Sequence, residues 1–248
     1  MKAVILLAGI GNRLRPLTLD KPKSLLPIGN STVLEHMITK LQKHGIHSFV
    51  IVCGHMEEMI KTYLAETFPE LDVIFATNEK YLTTNTGYSL LVAKEYLNGE
   101  TFIKLDGDVI FDDKIIKKLT SVNDEQSYVC SDSTSLDEEV IKIICNDEGY
   151  VVRIGNKLPA TKAIGESIGI ERISKKTSLA LFAALETMMI HEDNLQNYYE
   201  VAYDEIIQAG VDFKAIDITG LKWVEMDNRQ DYEMAQSYFG SKKTSLQI

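Results

Sequence analysis

The sequence predicts a single α/β domain on a mixed, mostly parallel sheet flanked by helices. Three observations carry that prediction. Apolar, strand-length runs alternate with amphipathic helical segments from residue 2 to residue 106, the pattern of strands joined by crossover helices. A hydrophobic share of 45% with 25% charged residues suits a soluble globular core. No repeat, low-complexity tract or proline-rich hinge divides the 248 residues, a length compatible with one large domain.

The elements follow in order. "KAVILLA" (2–8) is apolar almost throughout and reads as a buried strand. "STVLEHMITKLQKHG" (31–45) is a helix, with Val33, Leu34, Met37, Ile38 and Leu41 at helical spacing, Ser31 or Thr32 as cap and Gly45 as stop. "SFVIVCG" (48–54), "DVIFAT" (72–77) and "TFIKLD" (101–106) are strands, separated by the helices "MEEMIKTYLAETF" (56–68) and "YSLLVAKEYL" (88–97). Beyond residue 125 the rhythm changes. "SYVCS", "EVIKIICN", "GYVVRIG" and "KAIGESIGIERI" are strands joined by short polar turns. Helices over 176–191 and 197–210, strands in "FKAIDI" and "KWVEMD", and a helix over 229–239 complete the chain. Residues 1–125 thus form one half and 126–240 a second that covers it, with 241–248 expected to be a flexible tail. Ligands of such sheets bind outside the carboxyl ends of the strands. Three turns fall there, after Ala8, after Asp106 and after Glu225.

Charge narrows the function. A net charge of -10 and a pI near 5.0 argue against a nucleic-acid binder. The first 23 residues reverse the sign: Lys2, Arg13, Arg15, Lys21 and Lys23 face one acid, Asp20. A local cationic segment in an acidic protein points to an anionic ligand. Cys53, Cys130 and Cys145 lack metal-ligand spacing and read as reduced core thiols. The N-terminal apolar run ends in a glycine turn without a cleavage site, and no apolar run has membrane-spanning length. A cytoplasmic protein without a membrane partner is expected.

Gly9 and Gly11 follow the first strand, where glycine permits a sharp turn and lets a phosphate approach backbone N–H groups. Leu14 stands where a dinucleotide fingerprint needs its third glycine, and no GK[ST] follows, so neither the dinucleotide-binding fold's loop nor a P-loop is formed. The whole stretch "LLAGIGNRLRPLTLDKPKSLLPI" (6–28) resembles the signature of the nucleotidylyltransferases that activate sugar and alcohol phosphates, L-A-[AG]-G-x-G-x-R-[LM] then P-L-T then P-K-x-L-[LV]-P. The resemblance implies a Rossmann-like sheet of the nucleotide-diphospho-sugar transferase type. It also implies that the backbone at Leu7, Ala8, Gly9 and Gly11 cradles the nucleotide. Arg13 then contacts the β- and γ-phosphates, and Lys23 bridges the acceptor phosphate and the α-phosphate. The chemistry agrees. A phosphate attacking a phosphate brings anions together, which fixed cations and a metal relieve, and it needs no general base.

"IKLDGDVIF" (103–111) puts Asp106 and Asp108 at a strand end, and "KWVEMD" supplies Glu225 and Asp227 at another. One or two carboxylates with phosphates suit Mg²⁺. The resemblance assigns Asp108 and Asp227 as metal ligands, with Asp106 and Glu225 as supporting or substrate groups. "NEKYLTTNTGYSL" (78–90) is similar to the N-E-K-Y…N-x-x-S-L pattern of cytidylyltransferases acting on phosphocholine and similar head groups, which places Asn78, Asn85 and Ser89 at a CTP site; Gly87 departs toward the hexose type. At the acceptor end Glu166 and Glu225 offer negative charge, and Trp223, Tyr198, Tyr199 and Tyr203 offer ring faces, a combination suited to an amine or quaternary ammonium. The expected activity is Mg²⁺-dependent transfer of CMP from CTP to a phosphorylated alcohol or phosphonate. The alternatives are a sugar-1-phosphate uridylyl- or thymidylyltransferase and a non-catalytic nucleotide-binding subunit. A homodimer is left open.

Overall fold

A computed structural model describes residues 1–134 and 136–240; the expected tail at 241–248 lies outside the described residues. In chain order, β1 (Lys2–Leu6) leads to the short hairpin β2 (Pro27–Ile28) and β3 (Ser31–Thr32), then α1 (Val33–Lys43), β4 (Ser48–Cys53), α2 (Glu57–Thr67) and β5 (Asp72–Thr77). Next come α3 (Thr86–Leu91), α4 (Lys94–Leu97), β6 (Phe102–Asp106), β7 (Val109–Phe111) and α5 (Asp113–Ser121). The second half holds β8 (Ser127–Asp132), β9 (Lys142–Cys145), β10 (Val151–Gly155), β11 (Gly165–Ile173), α6 (Lys175–Met189) and α7 (Tyr199–Gln208). It ends with β12 (Phe213–Asp217), β13 (Trp223–Glu225) and α8 (Arg229–Phe239).

The main sheet runs β10-β9-β11-β6-β1-β4-β5, with β8 beside β11 and β12 beside β8. β6, β1, β4 and β5 are parallel, as the alternating pattern requires. β11 joins β6, β8 and β9 antiparallel, so the sheet is mixed and the long strand β11 stitches the halves together. β1 explains why its run is apolar throughout. Ala3 and Ile5 enter one core cluster, Val4 and Leu6 the other, and all are buried, as expected of a parallel strand covered on both faces.

Local rules set the helix starts. Thr32 caps α1 in a reciprocal capping box with Glu35. Asn228 does the same for α8 with Asp231. The predicted helix over 88–97 is divided into α3 and α4 around Val92 and Ala93. Four elements were not foreseen, the hairpin strands β2 and β3, β7 and α5. β7 is too short for a periodic pattern. α5 carried a legible one, with Asp112 capping the Lys114 N–H and Ile115, Ile116 and Leu119 buried.

Register places the site. Leu6 is level with both Val52 and Asp106, so β1 and β6 release their loops side by side. β13 pairs with β7, setting Glu225 opposite Val109, and Met226 N–H donates to the Asp108 carbonyl at 3.0 Å. The three predicted turns therefore converge on one edge.

Candidate active site

A cavity of about 1030 Å³ opens along that edge, lined by the glycine loop, Lys23, Asp106, Asp108, Glu225 and Asp227, together with Glu166 and Glu200. The glycine loop has the donors an anion needs. The N–H groups of Ala8, Gly9, Ile10 and Gly11 make no backbone hydrogen bond among the described residues. The Leu7 N–H, by contrast, donates to Val52 at 2.7 Å, so the sheet has already claimed it and Leu7 is no free donor. Gly11 takes φ +70°, and its carbonyl accepts from the Thr18 hydroxyl at 2.8 Å. Gly107 is required by proximity: a Cβ there would stand 2.3 Å from the Leu6 carbonyl oxygen.

Cations and carboxylates meet beside this loop. Lys23 Nζ donates to Asp108 Oδ2 at 2.8 Å and to Asp227 Oδ1 at 3.2 Å, and Arg13 Nη2 pairs with Asp227 Oδ1 at 2.7 Å. Burial alone would lower the Lys23 ammonium, but Asp108 and then Asp227 outweigh it and hold the pKa above the ordinary lysine value. Glu225 joins the group. Ligand oxygens of Asp108, Glu225 and Asp227 lie within 4.8 Å of one another. Loss of water, then the charges of Asp108 and Asp227, push the Glu225 carboxyl up to about 8. Three hard oxygen donors that repel one another fit a divalent cation of the Mg²⁺ type. Glu225 thus stands with Asp108 and Asp227 rather than behind them. Asp106 is turned elsewhere, accepting from Lys104 Nζ at 3.1 Å and from the Tyr199 hydroxyl at 2.7 Å.

On the opposite side of the glycine loop, Asn78, Asn85 and Ser89 all line the cavity. Asn78 is buried and occupied with its own loop: its amide donates to Thr84 Oγ1 and Ser89 Oγ, both at 3.0 Å, and its Oδ1 accepts from the Lys80 N–H at 2.9 Å. Asn85 caps α3, its Oδ1 accepting from Thr86 N–H at 2.8 Å. Gly87 has a packing role: a Cβ would meet the Asn197 carbonyl oxygen at 2.8 Å.

The aromatic half of the acceptor reading is corrected for Trp223 and Tyr203, while Tyr198 lines the cavity and is exposed. Trp223 does not line the cavity; its indole N–H donates to Asp132 Oδ2 at 2.6 Å. The β13–β7 register carries the Glu225 end of the strand to the cavity and leaves Trp223 opposite Phe111. Asp132 is itself buried. Tyr199 lies at the cavity wall but its ring is engaged, with Lys104 Nζ 3.6 Å from the ring centroid and the Tyr203 ring 5.2 Å away. Tyr203 is fully buried and absent from the cavity lining. Glu166 does line the wall, and burial pushes its carboxyl up to about 7, with Asp132 and Asp137 adding.

Sequence reasoning missed a buried ionic group beneath this wall. Lys104, wholly buried, pairs with Glu171 at 2.9 Å and Asp106 at 3.1 Å. Glu200, in the first turn of α7, completes it and reaches the cavity. A lysine inside an apolar strand, "FIKLD", was the available cue, because such a charge must be paired. None of the five histidines lines the cavity.

Fold and site together define an α/β protein with a glycine loop, two cations and a carboxylate cluster along one edge of its sheet. The chain belongs to the nucleotidyl transferase family, whose profile matches residues 2–139, and it is a nucleotidyltransferase. It is 27% identical to the CTP:phosphoglutamine cytidylyltransferase of Campylobacter jejuni, over 94% of this chain and 98% of that one. It is 23% identical to the CMP-5'-(3-aminopropyl)phosphonate synthase of Streptomyces rubellomurinus, over 100% of this chain but 40% of that protein. The solved CTP:phosphocholine cytidylyltransferase of Streptococcus pneumoniae superposes with a TM-score of 0.77 at 25% identity, covering 95% of this chain and 97% of that one. No helix among the described residues is long and apolar enough to cross a membrane.

Proposed function

We propose that this nucleotidyltransferase transfers CMP from CTP to the phosphate or phosphonate of a small head group and releases pyrophosphate. The observation that carries this reading is the junction of Lys23, Arg13, Asp108 and Asp227 beside the unpaired N–H groups of the glycine loop. The Ala8–Gly11 backbone receives the triphosphate, and Arg13 holds its outer phosphates. Lys23 sits where the acceptor phosphate and the α-phosphate must meet, and its ammonium offsets their repulsion as the new P–O bond forms and the bond to pyrophosphate breaks. Asp108, Asp227 and Glu225 would hold the magnesium ion, which supplies countercharge to the phosphate oxygens when bound. CTP is favoured by three relatives whose names carry CTP or CMP, and Asn85 with Ser89 and nearby backbone supply polar partners for a base. Free Cys53, Cys130 and Cys145 accord with a cytoplasmic setting.

The test is pyrophosphate release with each triphosphate against a panel of phosphorylated acceptors. CTP should exceed UTP, dTTP, ATP and GTP by at least about tenfold, a preference of only ~1.4 kcal/mol. Asp108→Asn and Asp227→Asn should each raise the Mg²⁺ concentration needed, read also by calorimetry of metal binding. Glucose 1-phosphate with UTP or dTTP as the best pair would replace this reading with that of a sugar-activating enzyme.

A further inference from the structure

An acidic strap before β9 borders the cavity. Asp137, Glu138, Glu139 and Val140 line it, as does Asn156 in the turn after β10. Asp137, Glu138 and Glu139 are exposed, so burial does not hold them in place. Hydrogen bonds do. The Asp137 Oδ1 accepts from the Glu139 N–H at 3.0 Å and from the Val140 N–H at 3.2 Å, which closes the strap into a turn. The Lys142 ammonium, at the start of β9, donates to the carbonyls of Glu138 at 3.0 Å, Val140 at 3.2 Å and Asn156 at 2.9 Å.

Lys142 is 2% exposed. Burying an ammonium is unfavourable unless its donors are used, and it has three. Here they reach three main-chain carbonyls, each on a residue that lines the cavity. One buried side chain thus ties the strap to the turn after β10.

Sheet order indicates which substrate the strap serves. Along β10-β9-β11-β6-β1-β4-β5, the glycine loop follows β1 and Asn78 follows β5, whereas the strap precedes β9 and Asn156 follows β10. The strap and the proposed nucleotide loops therefore lie on opposite sides of β6. Beside the strap is Glu166, on β11 and level with Lys142, where the Asp137 charge helps to raise its carboxyl.

We propose that Lys142 is a positioning residue for the acceptor: its buried ammonium fixes the acidic strap along the acceptor side of the cavity, so that binding of the acceptor, and not of the triphosphate, depends on it. This rests on the nucleotidyl-transfer reading above, but not on the choice of CTP.

The experiment compares the wild-type protein with Lys142→Met, which keeps the apolar stem and removes the donors. Pyrophosphate release is first measured for the wild type with phosphoethanolamine, phosphocholine and glucose 1-phosphate against each triphosphate, and the fastest pair is carried forward. Lys142→Met should raise the acceptor KM at least tenfold and leave kcat and the triphosphate KM within twofold. Hydrogen exchange without substrates should quicken at the Glu139 and Val140 amides and keep wild-type rates in β1 and β6. If Lys142→Met shows no cooperative melting transition, two variants of exposed Asp137 decide. Asp137→Asn keeps the oxygen that closes the turn and Asp137→Ala removes it, so Asp137→Ala should raise the acceptor KM at least fivefold more. An unchanged acceptor KM in folded Lys142→Met, an equal rise in both KM values, unchanged exchange in the strap, or equal effects of the two Asp137 variants would overturn the proposal. A wild-type protein that releases no pyrophosphate with any pair would overturn the transfer reading, and this role with it, before any variant is compared.

Discussion

Lys23 concentrates the electrostatic problem of the reaction into one side chain. Its side chain is 14% exposed and it reaches two carboxylates that lie far apart in the chain, Asp108 and Asp227. Lys23→Ala should therefore keep the fold and lose turnover by about a hundredfold, on the order of 3 kcal/mol. Lys23→Arg should restore little, because a planar fork does not replace a point charge. Steady-state kinetics beside a melting curve check both, and near-normal turnover in Lys23→Ala would remove the assigned role. Glu166 gives a pH prediction. Its carboxyl moves from 4.5 to about 7 on folding. A carboxyl with a raised folded pKa disfavours the folded state once it must ionise. Its contribution is thus intact below pH 4.5 and is lost as pH rises toward 7. Glu166→Gln should narrow the difference in melting temperature between pH 4.5 and pH 8, and an unchanged difference would show that Glu166 does not titrate with folding.

Among elements, the β6–β7 turn is the most constrained. It must lay Asp106 and Asp108 against the end of β1, and only a residue without Cβ fits at position 107, where the Leu6 carbonyl would be 2.3 Å away. Gly107→Ala should push the turn outward and cost about 3 kcal/mol, as overpacking against backbone does. It should also raise the Mg²⁺ requirement, since Asp108 moves with the turn. Chemical denaturation and metal titration read the two effects separately; wild-type values in both would show that the turn relaxes freely. The capping boxes at α1 and α8 belong to the same scale, and both were present in the sequence as Thr32 with Glu35 and Asn228 with Asp231.

At the scale of the whole molecule, β6 decides whether the halves are separable. Its free edge would be exposed without β11, which pairs Lys104 with Glu171 and Leu105 with Ile170. Lys104 would also lose Glu171 and keep only Asp106 as partner. A buried charge stripped of a partner costs several kcal/mol. A fragment of residues 1–125 should therefore show no cooperative urea transition, while the full chain unfolds in one step. A cooperative transition in the fragment would make the first half a domain of its own.

Much of this was legible from the chain alone because the relevant residues are contiguous. Gly9, Gly11, Arg13 and Lys23 lie within one loop, so their spacing shows directly which groups can meet an anion. Strand and helix periods likewise follow from local geometry, which is why β1, α1, β5 and α8 stood out. Partnership across long separations was settled by packing. Lys23 and Asp227 are 204 positions apart, and only the tertiary fold brings them to 3.2 Å. The β13–β7 register drew Glu225 into the carboxylate cluster and turned Trp223 away from the cavity, although both lie in one three-residue strand. Glu200 was hidden for a related reason. A glutamate in a helix reads as solvated until the fold surrounds it, and here Glu200 is enclosed beside the buried Lys104 and Tyr199. Local sequence determines which backbone shapes and charges are available; only the packed sheet determines which of them share one dry, charged space.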